Sequence, residues 1–301
     1  MKRHESIPTF EFQRNSDFFV WQKKKLEDYP KCINDLRVSV GNAEMLTQNE
    51  LEMIQAKCRK ANMALLDFKQ PVDDKTKIKR LGQQLGLNHL DGNLCADNDS
   101  ISSLTVIDTG RQNTYIPYSN KPISWHTDGY YNSPDERIRT VMLHCVSPAA
   151  SGGANALVDH EIVYMHLWDT NPEYIEALMQ EDVMTIPAND AEGETIREAR
   201  SGPVFSVNPT DGKLHMRYTA RSKSIIWKED SITQEAIACL KAFLESDSPY
   251  IFRYRLEAGE NLISNNILHT RTAFKDDESS SEGDNKRLIY RARYFDRMAN
   301  T

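Results

Sequence analysis

His126 and Asp128 stand two residues apart in the run SWHTDGYY, residues 124–131, a segment rich in strand-favouring side chains. Alternate side chains of an extended strand share a face, so the imidazole and the carboxylate point together while Thr127 points away, and the pair can hold one metal ion. His-x-Asp recurs by chance in many chains, so the reading requires a third ligand. His269 is the candidate, at the end of the apolar run NLISNNILH, where a strand emerging from a barrel presents an imidazole at the rim. Two histidines and one carboxylate on one face of an octahedron form the facial triad of non-haem Fe(II) oxygenases, which leaves the opposite face open. A 2-oxo acid chelating through its keto and carboxylate oxygens fills most of that face, and dioxygen takes what remains.

Such a co-substrate needs a cation for its distal carboxylate, and a guanidinium offers a fixed bidentate geometry that an ammonium lacks. The closing run RLIYRARYF, residues 287–295, carries Arg287, Arg291 and Arg293 at one parity with Ile289 and Phe295, and Leu288, Tyr290 and Ala292 at the other. Arginines aimed inward with no evident carboxylate partner are expensive in a core strand. Anionic ligands resolve that expense.

These residues need strands to carry them and helices to cover the strands. Thr47 with Glu50 forms a capping-box signature, after which Leu51, Ile54 and Cys58 recur at helical spacing as far as about Asn62 or Met63. A second helix begins near Asp73, places Ile78, Leu81 and Leu85 on one face, and ends before Gly86. From Ser102 to Val158 the chain turns to short β-branched or aromatic runs, SLTVID, RTVMLHCV and NALVD among them, punctuated by Pro and Gly. A helical interlude covers about 161–182, with Asn171 opening a first turn at Pro172. The run GPVFSVNPTDGKLHMRYT reads as a hairpin turning at Asp211-Gly212, and a further helix fits 232–245. The apolar runs YIFRYRL, ENLISNNILH and RLIYRARYF close the chain, with the acidic stretch KDDESSSEGDN, 275–285, as a mobile surface loop between the last strands. Many short strands with turn signals predict a mixed α and β fold with a double-stranded β-helix (jelly-roll) core flanked by helices. Neither a repeat nor a dividing linker is evident, so 1–301 reads as a single domain.

At 301 residues and 39% hydrophobic content the chain can bury a sizeable core. Its 37 basic against 44 acidic residues, a net charge of −7, argue against nucleic acid or an anionic membrane as the main partner. No run approaches the roughly 20 apolar residues of a membrane span, and the start MKRHESIPTFEFQRN lacks the apolar core of a signal peptide. The expectation is a cytoplasmic protein with a small-molecule substrate, compatible with a homo-oligomer. Cys32, Cys58, Cys95, Cys145 and Cys239 are scattered without a CxxC pair and read as reduced packing residues.

WHTDGYY, LHCVSPAASGGANALVD, NNILHTRTAF and RLIYRAR, in that order, resemble the Fe(II)/2-oxoglutarate-dependent oxygenases of the taurine dioxygenase type, which include the gamma-butyrobetaine hydroxylase-like enzymes. The similarity spans about 36–297, leaving 1–35 as an N-terminal extension. The hairpin and RLIYRAR look most like the glutarate hydroxylase branch, the LHCV…GG…LVD stretch more like the butyrobetaine branch. The resemblance implies a hydroxylase using Fe(II), 2-oxoglutarate and O2 and releasing succinate and CO2. It implies His126, Asp128 and His269 as the iron ligands and Arg287 as the clamp on the distal carboxylate of 2-oxoglutarate. Arg291 matches a second arginine used for an anionic substrate or the co-substrate. After Gly152-Gly153 the family usually has an acidic residue and then Thr or Ser, whereas this chain has Ala154 and Asn155; Asn155 stays a co-substrate contact. Asp128 rather than a small residue at the metal favours hydroxylation over halogenation.

By analogy, Arg217 and Arg221 add positive charge near the site. Arg217, Arg291 and Tyr130 are the candidate substrate contacts for a carboxylate, amino acid or betaine. His144, His160, Trp125 and Tyr131 read as structural residues, and His215 lies in the suspected substrate hairpin. Two other readings are a non-catalytic ligand-binding or sensing jelly-roll protein and a cupin-like oxygenase that does not use 2-oxoglutarate.

Overall fold

The computed structural model describes residues 15–70, 72–92, 96–107, 111–191, 194–221, 225–277 and 286–301. Cys95, most of the acidic 275–285 stretch and the first residues of the N-terminal extension lie outside the described residues. The chain is a mixed α and β protein that divides into two compact units, Met1–Tyr29 with His160–Ser248, and Pro30–Asp159 with Pro249–Thr301.

The second unit carries two sheets. In the larger the strand order is Arg37–Val40, Met63–Phe68, Glu260–Ser264, Thr140–Ser147, Leu288–Tyr294, Ile101–Leu104. Only its first pair is parallel. A parallel pair needs a crossover, and the helix Gln48–Ala61 provides it. The Thr47 hydroxyl accepts from the Glu50 N–H at 3.3 Å while the Glu50 carboxylate accepts from the Thr47 N–H at 2.7 Å, the expected reciprocal cap. That helix stops at Asn62, whose φ of 54° is left-handed. The second helix runs Lys75–Gln84, capped by Asp74, and Ile78 and Leu81 join Val38, Ile54, Leu66, Met142, Ile263, Ala292 and Tyr294 in one buried cluster. Ala292 and Tyr294 therefore face the helices, and the opposite parity of that strand, Ile289, Arg291 and Arg293, faces the other way.

The smaller sheet is antiparallel, in the order Phe252–Tyr254, Asn155–Val158, Leu268–Arg271, Ile123–His126. The run ENLISNNILH, which reads as one apolar stretch, is two strands: Glu260–Ser264 belongs to the larger sheet and Leu268–Arg271 to the smaller. The chain changes sheets at Asn265-Asn266-Ile267, where Asn266 takes φ 51°, a conformation asparagine tolerates better than branched residues. Asn265 is locked there: its N–H donates to the Asn62 carbonyl at 2.8 Å and its side-chain amide to Asn62 Oδ1 at 3.0 Å. Asn62 in turn donates to Asp159 at 2.9 Å and accepts from Arg297 at 2.8 Å.

The first unit holds the helices Asn15–Leu26, His160–Thr170, Pro172–Leu178 and Ser231–Leu244. The expected interlude at 161–182 is thus two helices, because the Asn171 side chain caps the second at Glu173 N and Pro172 cannot continue the first. The hairpin forms as expected, Phe205–Val207 on Leu214–Met216, with Gly212 at φ 64°. No helix among the described residues is long and apolar enough to cross a membrane.

Asn62→Ala removes three side-chain hydrogen bonds from a buried cluster that includes Asp159 and Arg297, and puts alanine at a left-handed φ. We expect a loss of about 2–4 kcal/mol in denaturant unfolding at unchanged m-value.

Candidate metal centre

His269 and His126 are register partners across the smaller sheet, so antiparallel pairing sets their rings side by side with centroids 4.2 Å apart. Asp128 joins them: one ligand atom from each of the three residues lies within 4.8 Å of the others. The alternation argument brings Asp128 to the right face, yet its strand ends at His126, and Asp128 sits in the turn that follows. A side chain holds it there. Asp128 N–H donates to Asn266 Oδ1 at 2.8 Å, and Asn266 Nδ2 donates back to the Asp128 carbonyl at 2.9 Å and to the Ile138 carbonyl at 2.7 Å. The residue at the sheet change thereby pins the first ligand segment three positions before His269. His269 itself lies inside its strand, one residue after its start, rather than at the end.

The donor set suits a cation. His126 Nδ1 lies 2.9 Å from the Ser124 carbonyl and His269 Nδ1 3.0 Å from the Ile267 carbonyl. A carbonyl only accepts, so Nδ1 of each ring carries a proton and Nε2 is the nitrogen that can face a metal. Burial, with His269 alongside, pushes the His126 imidazole down to about 3, so it is neutral at pH 7. Asp128 is 5% exposed. Burial favours its protonated form, but Arg291 and then Arg293 prevail and hold the carboxyl well below the usual range. Arg291 Nη1 stands 3.4 Å and Arg293 Nη1 3.9 Å from Asp128 Oδ1. Asp128 Oδ2 is buried with no hydrogen-bond partner. Two imidazoles and an ionised carboxylate with one bare oxygen fit a divalent metal.

The inward arginines are not equivalent. Arg293, which seemed unpartnered from sequence, is paired with Asp91 and donates to the Tyr131 hydroxyl at 3.0 Å. Arg291 leans on Asp128. Arg287 keeps Nη1 buried and without a hydrogen-bond partner, and burial lowers its pKa. It packs on an aromatic ring: the guanidinium carbons of Arg287 and Arg271 each lie over Phe274, 4.9 Å from the ring centroid. Arg271, which the sequence reading did not single out although it follows His269 in HTR, is 4% exposed and donates to the carbonyls of Pro117, Ser119 and Lys121 at 3.3, 2.6 and 2.6 Å. Burial and the neighbouring Arg287 push it down to about 9, still charged at neutral pH.

A cavity runs along this face, lined by His126, His269, Asn155, Arg255, Arg271, Arg287 and Arg291 with Leu104, Leu143 and Ile289. Gly152 and Gly153, both at φ 73°, pass beside Arg287 and Phe274. A methyl on Gly152 would meet the Ala273 carbonyl oxygen at 2.2 Å, so only glycine lets these segments pair. Asn155 lines the cavity but gives one amide N–H to the Thr270 carbonyl at 2.7 Å. Of the other candidates, Tyr130 packs edge-on against Tyr131 and is not among the residues lining this cavity. Arg217 lies in the other unit and spends its guanidinium on the carbonyls of Met184, Gly202 and Arg200. Arg221 is exposed. His144, buried in mid-strand, lies 2.7 Å from the Val72 carbonyl, and His160 3.2 Å from the Leu214 carbonyl, which is structural use.

Residues 35–293 match the family described as taurine catabolism dioxygenase TauD, TfdA family. A uridine-5'-phosphate dioxygenase of Streptomyces sp is 29% identical over 61% of this chain and 67% of its own length. A protein of the same name from Amycolatopsis sp is 28% identical over 56% of this chain and 60% of its own. Among solved structures, an asparagine oxygenase in complex with Fe(II), 3-hydroxyasparagine and succinate superposes with a TM-score of 0.57 at 12% identity, covering 86% of this chain and 93% of the other. A taurine dioxygenase from Burkholderia xenovorans does so with 0.56 at 15% identity, covering 86% and 87%.

Gly152→Ala forces the new methyl against the Ala273 backbone and separates Gly152 from Phe274. Thermal and denaturant unfolding should show a loss of about 2 kcal/mol or more.

Proposed function

Because the chain belongs to the TauD/TfdA family of dioxygenases and is a non-haem iron, 2-oxoglutarate-dependent dioxygenase, we propose that it hydroxylates an unactivated carbon of a small anionic or zwitterionic molecule. Its cofactors are Fe(II), 2-oxoglutarate and O2. The larger and smaller sheets of the second unit are, on this reading, the two halves of a double-stranded β-helix. His126, Asp128 and His269 hold the iron; the bare Oδ2 of Asp128 is the observation that carries the assignment. Bound iron and 2-oxoglutarate together supply the oxidising power, with succinate and CO2 as by-products.

The chain's own groups do the positioning. Arg287 takes the distal carboxylate of 2-oxoglutarate, supported by its unpartnered Nη1 on the cavity wall and by Phe274, which fixes its plane. Asn155 is a further contact to the co-substrate. Arg291, at the metal carboxylate and on the same cavity wall, is the charge available to an anionic substrate. Its saturation by carbonyls makes Arg217 a brace for its own unit in preference to a substrate contact. Leu104, Leu143 and Ile289 keep the wall dry, so the charged groups act in a low dielectric.

A carboxylate, amino acid or betaine is the substrate class we favour. A phosphomonoester is the second reading, favoured by the names of the two uridine-5'-phosphate dioxygenases. Substrate-dependent succinate release, screened over small acids, amino acids, betaines and nucleoside monophosphates, separates them. Anaerobic Fe(II) with 2-oxoglutarate should give a charge-transfer band; well-metallated protein without it would point to a non-catalytic binding protein. Oxygen consumption indifferent to 2-oxoglutarate would point to the cupin-like alternative.

Asp128→Ala should abolish turnover, and retained activity removes the triad assignment. Arg287→Ala should raise the KM for 2-oxoglutarate about 10–100-fold, the loss of a charge-assisted hydrogen-bonded pair. Arg291→Ala should raise the KM of the organic substrate instead, and an unchanged value would remove the anion reading.

A further inference from the structure

Resting on His126, Asp128 and His269 as the metal ligands, we propose that Asp91 and Tyr131 are positioning residues for the metal carboxylate, acting through Arg293 to fix which oxygen of Asp128 meets the metal. The two oxygens are unlike. Oδ1 faces Arg291 at 3.4 Å and Arg293 at 3.9 Å, whereas Oδ2 is buried without a partner. Chelation through both oxygens would pull Oδ1 from two guanidiniums, so Oδ2 is the oxygen that Asp128 would present to a metal.

At 3.9 Å Arg293 does not hydrogen-bond Asp128; it acts through the position of its charge. That position is set elsewhere. Arg293 Nη2 is paired with the Asp91 carboxylate, Nη1 donates to the Tyr131 hydroxyl at 3.0 Å, and the Asp91 N–H donates to the Arg293 carbonyl at 2.8 Å. Arg293 is 2% exposed, so bulk solvent screens these contacts little. Tyr131 lies three residues beyond Asp128, and the segment that carries the ligand thus closes back on the arginine that polarises it.

The charge count gives the sign. Asp91 and Asp128 offset Arg291 and Arg293, and a dication is added to a balanced cluster. Replacing Asp91 by the neutral asparagine leaves one uncompensated positive charge beside the metal and frees Arg293 to move onto Asp128, both of which oppose metal binding. Partners of metal ligands carry about 10–100-fold in metal affinity.

Metal-free protein titrated with Mn(II), with free ion read by electron paramagnetic resonance, tests this in the wild type, Asp91→Asn, Tyr131→Phe and Asp128→Ala. The melting temperature of each metal-free protein is measured in parallel. Asp91→Asn, which leaves the buried Arg293 without its counter-ion and so lowers the metal-free melting temperature, should weaken Mn(II) binding at least about tenfold, and Tyr131→Phe about fivefold with a metal-free melting temperature near the wild type's. Wild-type Mn(II) affinity in the folded variants, or a weakening that merely follows lost stability, overturns the proposal. Should Asp91→Asn fail to fold, Tyr131→Phe, which removes one hydroxyl, decides alone. Asp128→Ala is the control for the assignment beneath: if it binds Mn(II) like the wild type, the triad itself fails, an outcome distinct from failure of Asp91→Asn alone.

Discussion

An ionised carboxylate buried with cations on one oxygen and nothing on the other is the constraint around which the second unit is organised. Placing Asp128 out of water carries a desolvation penalty of several kcal/mol, and Arg291 and Arg293 offset it only because their strand directs that parity inward. The same strand gives its other parity, Ala292 and Tyr294, to the core beneath the helices. One edge of the helical core and one wall of the candidate metal centre are therefore two faces of one strand. Asp91 extends the arrangement: it returns the charge that Arg293 brings, so the four groups Asp91, Asp128, Arg291 and Arg293 balance one another.

The joint between the sheets is the other half of the device. A chain leaving the larger sheet at Ser264 must turn before it enters the smaller one at Leu268, and the asparagine pair does this with side chains that imitate backbone. Asn266 makes with Asp128 the reciprocal N–H to oxygen exchange that a neighbouring strand would make. Asn265 ties the turn to Asn62, the left-handed end of the crossover helix. Cross-strand register then sets the two imidazoles opposite each other. The three candidate ligands come from two segments distant in sequence, and the Asn266 amide ties those segments together.

Much of this was legible in the chain. His126-x-Asp128 announced a shared face, the capping box at Thr47 and Glu50 fixed a helix start, and the alternation in RLIYRAR predicted which side chains point inward. These signals are local, and local physics decides them. What was not legible depends on partners far away in sequence. Nothing near Arg293 identifies Asp91 as its counter-ion, so Arg293 read as an unpartnered inward arginine like its neighbours until contacts separated it. ENLISNNILH read as a single strand because its apolar residues continue across the asparagine pair; the doublet itself was the available sign of a break. Arg271 stood in plain view beside His269, but its three carbonyl partners lie some 150 positions earlier.

Where Arg287 enters its strand, its backbone N–H donates to the Asp276 carboxylate at 3.0 Å, which closes the neck of the acidic insertion that separates it from Phe274. Closure entropy grows slowly with contour length, about 0.6 kcal/mol for each doubling. That one hydrogen bond ties the start of the Arg287 strand to the segment just after Phe274, so the guanidinium and the ring beneath it are held together at the backbone as well as by their own contact.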